Sequence, residues 1–584
     1  MTLILRHHAA TRAAGARARA GLAAAFLCAT LGTHSAHAAN APSQSPLYSA
    51  VPGAKPNLMF VLDNSGSMGF EHQEGYVMPS SCKGALCDFA WYRMRDSGVN
   101  TQYYNPATTY LPRVSPKGAP LSNPLAFVDN QSSDHFSFEV PSVGYSWGSN
   151  STPFTPTHTV YTSTNTIPAN AQFTYSNCAN ATCSTRTTVN LTYPPGSANV
   201  ALPPTHRRTD CGANATTCSA TAELQNVLNW YQWYRTRVLA VGTALGQAMQ
   251  AYDNKFRIGY LQYNYTDTRA KDYGTANSIV RGVRPFTDDP TNTAKNWKTQ
   301  FYNWIYGVLP AGGTPSHNAL ALAASYYSGE ANAAFGNPWK NNPESAAGTV
   351  NATDLSCRRA YSIVLSDGAW NAGTSVNAGT TYASTSSANY SGNPSGNAAA
   401  LQFNPSGATG RDSADLSTRL AARNLYVPYS DNSTSSNGFA DLTARYFWHT
   451  DFSTLPNNIP PIAGQHNPTF WQNMTTFTIG WGLTPSGALG VPNGLTWDEI
   501  NRYNNDWLAG NSVTRPHWPV GNLNNAATAT DAQRVDDFIR AGFAGGGRAY
   551  SVYSGDDVRT AIDNALSSMV GSGNDAGVAV SGNS

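Results

Sequence analysis

Short uninterrupted apolar runs recur along the chain, each followed by a polar turn and then by residues at helical spacing. Leu58-Met59-Phe60-Val61-Leu62 is the first, bounded by Pro56 and a polar loop. An apolar run of this length predicts a strand covered on both faces, as parallel strands are. Tyr361-Ser362-Ile363-Val364-Leu365 and Thr476-Phe477-Thr478-Ile479-Gly480 have the same character, and Phe256, Ile258 and Tyr260 alternate with Arg257 and Gly259. From Ala222, the residues Leu224, Val227, Leu228, Tyr231, Val238, Leu245 and Met249 recur every three or four positions up to a turn at Asp253-Asn254. That spacing predicts one long amphipathic helix. Trp297, Phe301, Trp304 and Ile305 mark a second helix, and Leu320, Leu322 and Tyr326 a third, opening after Gly312-Gly313-Thr314-Pro315. Segments 531–543, 548–553 and 555–569 read as helix, strand and helix. Strands alternating with helices predict an α/β fold, a doubly wound parallel sheet with helices on both faces.

Two stretches, 69–221 and 370–470, lack this periodicity and are rich in Ser, Thr, Asn, Pro and Tyr. They read as loop- and β-rich insertions between core segments 58–68, 222–369 and 471–569, the second relieved by a helical piece from Phe439 to Trp448. Segment 39–57 reads as a linker and 570–584 as a Gly/Ser-rich tail or linker. The length of 584 residues exceeds what one core usually organises, so either a second domain or large insertions are expected. The composition favours insertions: only 12% of residues are charged, while 14 Trp, 30 Tyr and 21 Phe supply ample surface to bury.

The amino terminus changes the picture. Arg6, Arg12, Arg17 and Arg19 precede the apolar run Gly21–Leu31 and an A-x-A site at Ala36-His37-Ala38, the pattern of a cleaved signal peptide over 1–38. The run is far shorter than the roughly 20 residues of a permanent transmembrane anchor. An uncleaved Arg-rich leader is the alternative reading. Cleavage removes four arginines and no acid, taking the formal charge from +2 to about −2, and nothing in that balance points to nucleic acid. Seven cysteines follow the leader. Cys82 and Cys87, Cys178 and Cys183, and Cys211 and Cys218 form three close pairs, which in an exported chain predict local disulfides rather than zinc ligation. Cys357, just before an apolar strand, is expected to be a buried free thiol.

The candidate chemistry stands at strand ends. Asp63-Asn64-Ser65-Gly66-Ser67-Met68 follows the first strand as D-x-S-x-S, Thr314 opens a helix, and Asp367 follows the strand ending at Leu365-Ser366. Ligands of open α/β sheets gather at the carboxyl ends of the strands. A hard divalent ion takes about six oxygens, and two hydroxyls one residue apart on a Gly-containing turn, a third hydroxyl and two carboxylates supply that donor class. Each loop alone would equally be an ordinary helix cap or turn; their order on an alternating α/β pattern points to a metal.

These five residues carry a resemblance to the metal-ion-dependent adhesion site of von Willebrand factor A and integrin I domains. The resemblance implies a von Willebrand factor A-type (Rossmann-like) fold over 58–569, holding one Mg²⁺ or Mn²⁺. In it Ser65 and Ser67 would bind the ion directly, Thr314 directly or through water, and Asp63 and Asp367 partly through water. An acidic group of a partner would complete the coordination. A narrower resemblance spans most of the chain: Pro56-Asn57 leading into the first strand, Tyr103-Tyr104-Asn105-Pro106, Trp230-Tyr231-Gln232-Trp233-Tyr234-Arg235-Thr236-Arg237, Gly312-Gly313-Thr314-Pro315, Leu365-Ser366-Asp367-Gly368, Phe439-Ala440-Asp441-Leu442 through Trp448, and Asp536-Asp537-Phe538 to Gly546. This pattern is similar to the PilY family of type IV pilus biogenesis proteins and tip-associated adhesins of Gram-negative bacteria. It implies minor pilins or other pilus components as partners, a carboxylate-bearing host or surface ligand, and a location in the periplasm, at the pilus tip or on the cell surface. Family members usually continue into a carboxy-terminal β-propeller with a calcium loop; no D-x-D-x-[DN]-G loop occurs in this sequence, so calcium control is not carried over. A shortened paralogue, half of a split gene and a fragment all stay open.

No H-E-x-x-H, G-x-S-x-G or P-loop sequence is present, and His317, His449 and His466 have no carboxylate or Cys companion at catalytic spacing. The chain therefore reads as a binding module rather than an enzyme. Its rival is a structural pilus-priming or assembly subunit whose metal only stabilises the fold.

Overall fold

The computed structural model describes residues 54–70, 92–121, 172–264, 280–327, 335–343, 353–371, 438–443, 471–491 and 529–573, short gaps aside, with a few positions between 452 and 469. Six strands form the main sheet: β1 (Asn57–Leu62), β6 (Arg257–Gln262), β7 (Arg281–Pro285), β8 (Ala360–Ser366), β9 (Met474–Trp481) and β10 (Gly546–Val552), in the order β7-β6-β1-β8-β9-β10. All neighbours are parallel except β7, which pairs antiparallel with β6 at the edge. That edge strand departs from the all-parallel expectation; Arg281 and Arg284 flank Gly282 and Val283 there, too little apolar sequence to signal a strand. The remaining elements are α1 (Ala220–Trp233), α2 (Arg237–Ala248), α3 (Trp297–Gly307), α4 (Ser316–Tyr327), α5 (Asp531–Ala544) and α6 (Gly555–Gly573).

Alternation along β1 divides two cores. Leu58, Phe60 and Leu62 join Tyr260, Ile363 and Ile479 beneath α1, α2, α3 and α6. Met59 and Val61 join Leu261 and Val364 beneath α4 and α5. With both faces covered, every residue of β1, β6, β8 and β9 is buried, including Arg257. Burial, with neighbouring Arg358, pushes the Arg257 guanidinium down to about 9.

The long helix expected from Ala222 to Met249 is two. Tyr234 leaves helical geometry at φ −135°, and Thr236 caps α2 by accepting from the Leu239 backbone N–H at 3.3 Å. Apolar spacing continues through the break because both helices bury the same side on the sheet, so periodicity alone does not reveal it.

The first insertion supplies the hairpin of β2 (Gln172–Cys178) and β3 (Arg186–Thr192) and the short pair β4 (Val200–Ala201) and β5 (Thr217–Cys218). It is packed against α1: Tyr103, Tyr104 and Phe173 lie within about 6 Å of the Trp230 ring. Disulfides join Cys178 to Cys183 and Cys211 to Cys218; Cys82 and Cys87 lie outside the described residues. Cys357 is free but exposed, contrary to the expected buried thiol. Burial begins one residue later, at Arg358, as the chain enters β8. In the second insertion Phe439–Asp441 forms one helical turn, and beyond Thr443 the piece expected to reach Trp448 lies outside the described residues. Among the described residues no helix is long and apolar enough to cross a membrane.

Candidate metal centre

The strand order reverses between β1 and β8, the switch point at which open α/β sheets bind ligands. Asp63 leaves the carboxyl end of β1, and Ser366 and Asp367 stand at that of β8. The two ends are tied together: Asp63 N–H donates to the Leu365 carbonyl at 2.8 Å, and Ser366 Oγ donates to Asp63 Oδ2 at 2.5 Å. Asp63 Oδ1 accepts from the Ser65 N–H at 2.7 Å, folding the loop back on its own first residue. The Ser65 and Ser67 hydroxyl oxygens then lie 3.1 Å apart at the start of a 3₁₀ turn, Gly66–Gly69.

The loop bearing Thr314 is fastened to the same place. Gly66 N–H donates to the Gly312 carbonyl at 3.1 Å and Ala311 N–H to the Asn64 carbonyl at 2.6 Å. Asn64 acts as the clamp: its amide donates to the carbonyls of Asn264 and Leu309 and accepts from the Asn264 N–H. Asn264 in turn donates to the Gly313 carbonyl at 2.6 Å. Gly312 sits at φ +71°, and a Cβ there would come within 2.6 Å of Asn264 Oδ1, so both its conformation and its neighbour exclude a side chain. Thr314 N–H donates to Asn371 Oδ1, and Asn371 N–H returns a bond to the Thr314 carbonyl at 3.0 Å, linking this loop to the segment after Asp367.

The three loops expected from sequence are thus brought together, with Asp63, Ser65, Thr314 and Asp367 buried and Ser67 half-buried. The electrostatics are uneven. Asp367 Oδ2 accepts from Arg237 Nη1 at 2.9 Å, and both side chains are buried. Among the described residues Asp63 meets no cation. Burial first, and the neighbouring Asp367 charge second, push its carboxyl up to about 7 against the pull of its Ser366 and Ser65 bonds. Burial and the same Asp63 charge raise the Tyr263 phenol well above its ordinary range. A fully buried carboxylate beside a second one, with hydroxyls gathered at the same loops, is a donor set that suits a hard divalent cation.

Sequence reasoning missed Asn64, Asn264, Ser366, Asn371 and Arg237. Asn64 and Ser366 were legible as the residues inside the D-x-S-x-S and L-S-D-G motifs; Arg237 lies 130 positions from its partner Asp367 and carried no local sign. Zinc at the two described cysteine pairs finds no support. Among the described residues the clusters close enough to share an ion are Asp96 with Cys178 and Cys183, and Asp210 with Cys211 and Cys218, and in both the sulfurs are joined to each other.

No protein-family profile and no solved structure matches the chain. Curated relatives do. The type IV pilus biogenesis factor PilY1 of Pseudomonas aeruginosa strain PAO1 is 26% identical over 94% of this chain, that of strain UCBPP-PA14 26% over 96%, and that of strain PAK 25% over 94%. The chain is PilY1-like. It spans 41% of the length of each of these relatives. The motifs quoted above from the sequence do different structural jobs. The D-x-S-x-S, G-G-T-P and L-S-D-G segments build the centre. Tyr103-Tyr104-Asn105-Pro106 and the first half of Trp230–Arg237 instead seat the insertion on α1, where Tyr104 OH donates to Glu223 Oε1 at 2.7 Å.

Proposed function

We propose that this chain is the metal-dependent recognition portion of an exported type IV pilus biogenesis factor, built on a von Willebrand factor A-type domain over 58–569. In this reading Asp63, Ser65, Ser67, Thr314 and Asp367 hold one Mg²⁺ or Mn²⁺, and a carboxylate from a partner completes the coordination. The partners would be minor pilins or other pilus components and an acidic group on a host or other surface. The chain would reach the periplasm, pilus tip or cell surface after removal of 1–38, and would perform no covalent chemistry. The observation that carries the reading is Asp63: a buried carboxylate that meets no cation among the described residues and feels the charge of a second carboxylate at the sheet's switch point. Uncompensated buried charge is costly, and a divalent ion is what such a pair of carboxylates and hydroxyls would offset.

A second reading, an assembly subunit whose ion only stabilises the fold, is favoured by the burial of the first insertion's Tyr103, Tyr104 and Tyr175 against α1. Those aromatic residues act in packing and are not free for recognition. Calorimetric titration of Mg²⁺ and Mn²⁺ into the oxidised chain lacking 1–38 tests the shared premise. One ion should bind the parent, and Asp63→Ala and Ser65→Ala should lose it; a folded parent that binds none overturns both readings. An acidic probe that binds only in the presence of the ion would then favour recognition over assembly.

A further inference from the structure

Arg237 is placed where ordinary helix electrostatics would not put it. It is the first residue of α2, and the amino end of a helix carries partial positive charge that disfavours a cation. Its side chain is wholly buried, which adds desolvation to that penalty. Two features hold it there. The break at Tyr234–Thr236, with Thr236 as cap, starts α2 at Arg237, and Asp367 meets its guanidinium at 2.9 Å. The guanidinium carbon also lies 5.6 Å from the centre of the Phe70 ring, at the end of the loop that carries Ser65 and Ser67. Arg237 is therefore part of the centre's wall on two sides.

Its charge alters what the centre demands. Among the described residues, the ionised carboxylates of Asp63 and Asp367 bring two negative charges, and Arg237 returns one positive charge. Resting on the metal reading above, we propose that Arg237 is a specificity-determining residue of the centre. By engaging Asp367 it weakens the hold on a divalent ion, and it leaves the occupied site with one positive charge in excess, so that an anionic ligand such as a carboxylate completes it. Without Arg237 the two carboxylates would neutralise the ion by themselves and a neutral ligand such as water would suffice.

The experiment is a Mn²⁺ titration followed by electron paramagnetic resonance, with and without acetate as the carboxylate probe, on the parent, Arg237→Gln and Arg237→Lys. Acetate should strengthen Mn²⁺ binding by the parent. Arg237→Gln should bind Mn²⁺ on the order of tenfold tighter, as expected for removing a like charge at close range in a partly screened interior, and its binding should no longer respond to acetate. Arg237→Lys, which keeps the charge, should behave as the parent. A folded Arg237→Gln with unchanged or weaker Mn²⁺ affinity overturns the proposal. So does a parent whose Mn²⁺ affinity ignores acetate, a result that needs no variant to fold. A parent that binds no Mn²⁺ removes the metal reading itself and this inference with it, and is distinguished from the other failures because it appears before any variant is compared.

Discussion

Two charge clusters in this molecule are built on opposite terms. Where the first insertion meets α1, Arg208 donates to both oxygens of Asp210 at 2.8 Å and to Glu223 at 2.6 Å, while Glu223 also accepts from the Tyr104 and Tyr175 hydroxyls. Burial alone would lower the Arg208 guanidinium, yet Asp210 and Glu223 outweigh it and raise it well above its ordinary range. Every partner in that cluster lowers the energy of another. At the switch point, in contrast, Asp63 accepts, among the described residues, from the neutral Ser65 N–H and Ser366 hydroxyl, and the Asp367 charge beside it has its own sign. The first is a closed network of the kind that fastens an insertion to a core. Among the described residues the second leaves a buried carboxylate with no cation bonded to it, the electrostatic condition on which the proposed ion binding rests.

Asp537 on α5 lies between the two. It accepts from the Phe439 and Ala440 backbone N–H groups and from Trp370 Nε1, so it ties the second insertion's helical turn to the core, with no cation bonded to it among the described residues. Burial pushes its carboxyl up from 3.8 to about 6 in spite of those bonds.

The comparison breaks first at Arg208. Arg208→Met should strand Glu223 in the interior and cost about 3–5 kcal/mol of stability in urea unfolding, with loss of insertion contacts; a cost below about 1 kcal/mol would mean that the closed network contributes little. Next is the pH dependence from Asp537. Its folded carboxyl binds a proton more tightly than the unfolded one, so its contribution to stability is greatest below about pH 4 and is lost as pH rises to about 6, on the order of 3 kcal/mol. Asp537→Asn should flatten that part of the profile of urea midpoint against pH, and an unchanged slope would assign the dependence elsewhere. The smallest effect sharpens the contrast most. In EDTA, Asp63→Asn should be as stable as the parent or more stable by about 1–2 kcal/mol, because it removes a buried charge that no cation offsets. If Asp63→Asn instead loses as much stability as Arg208→Met, the switch-point cluster is a second structural network and the contrast is void.

Much of this was legible in the sequence because it is local. Five strands of the main sheet announce themselves as apolar runs or alternation, and the helices that follow them as three- and four-residue spacing, since both periodicities come from backbone geometry. Asp63, Ser65, Ser67, Thr314 and Asp367 were legible by their positions at strand ends and a helix start. The pairing of Cys178 with Cys183 and of Cys211 with Cys218 was legible from their short separation in a chain read as exported.

What the sequence determined by itself is therefore the alternating α/β plan and which residues could serve as oxygen donors, because each depends on neighbours a few positions away. Tertiary structure decided the rest. The split between α1 and α2, the antiparallel β7, the exposure of Cys357 and the pairing of Arg237 with Asp367 all depend on what packs opposite, often more than a hundred residues distant. Charge balance at the switch point is set in the same way: a buried carboxylate's energy is fixed by the groups that surround it in space, and only the folded chain brings those groups together.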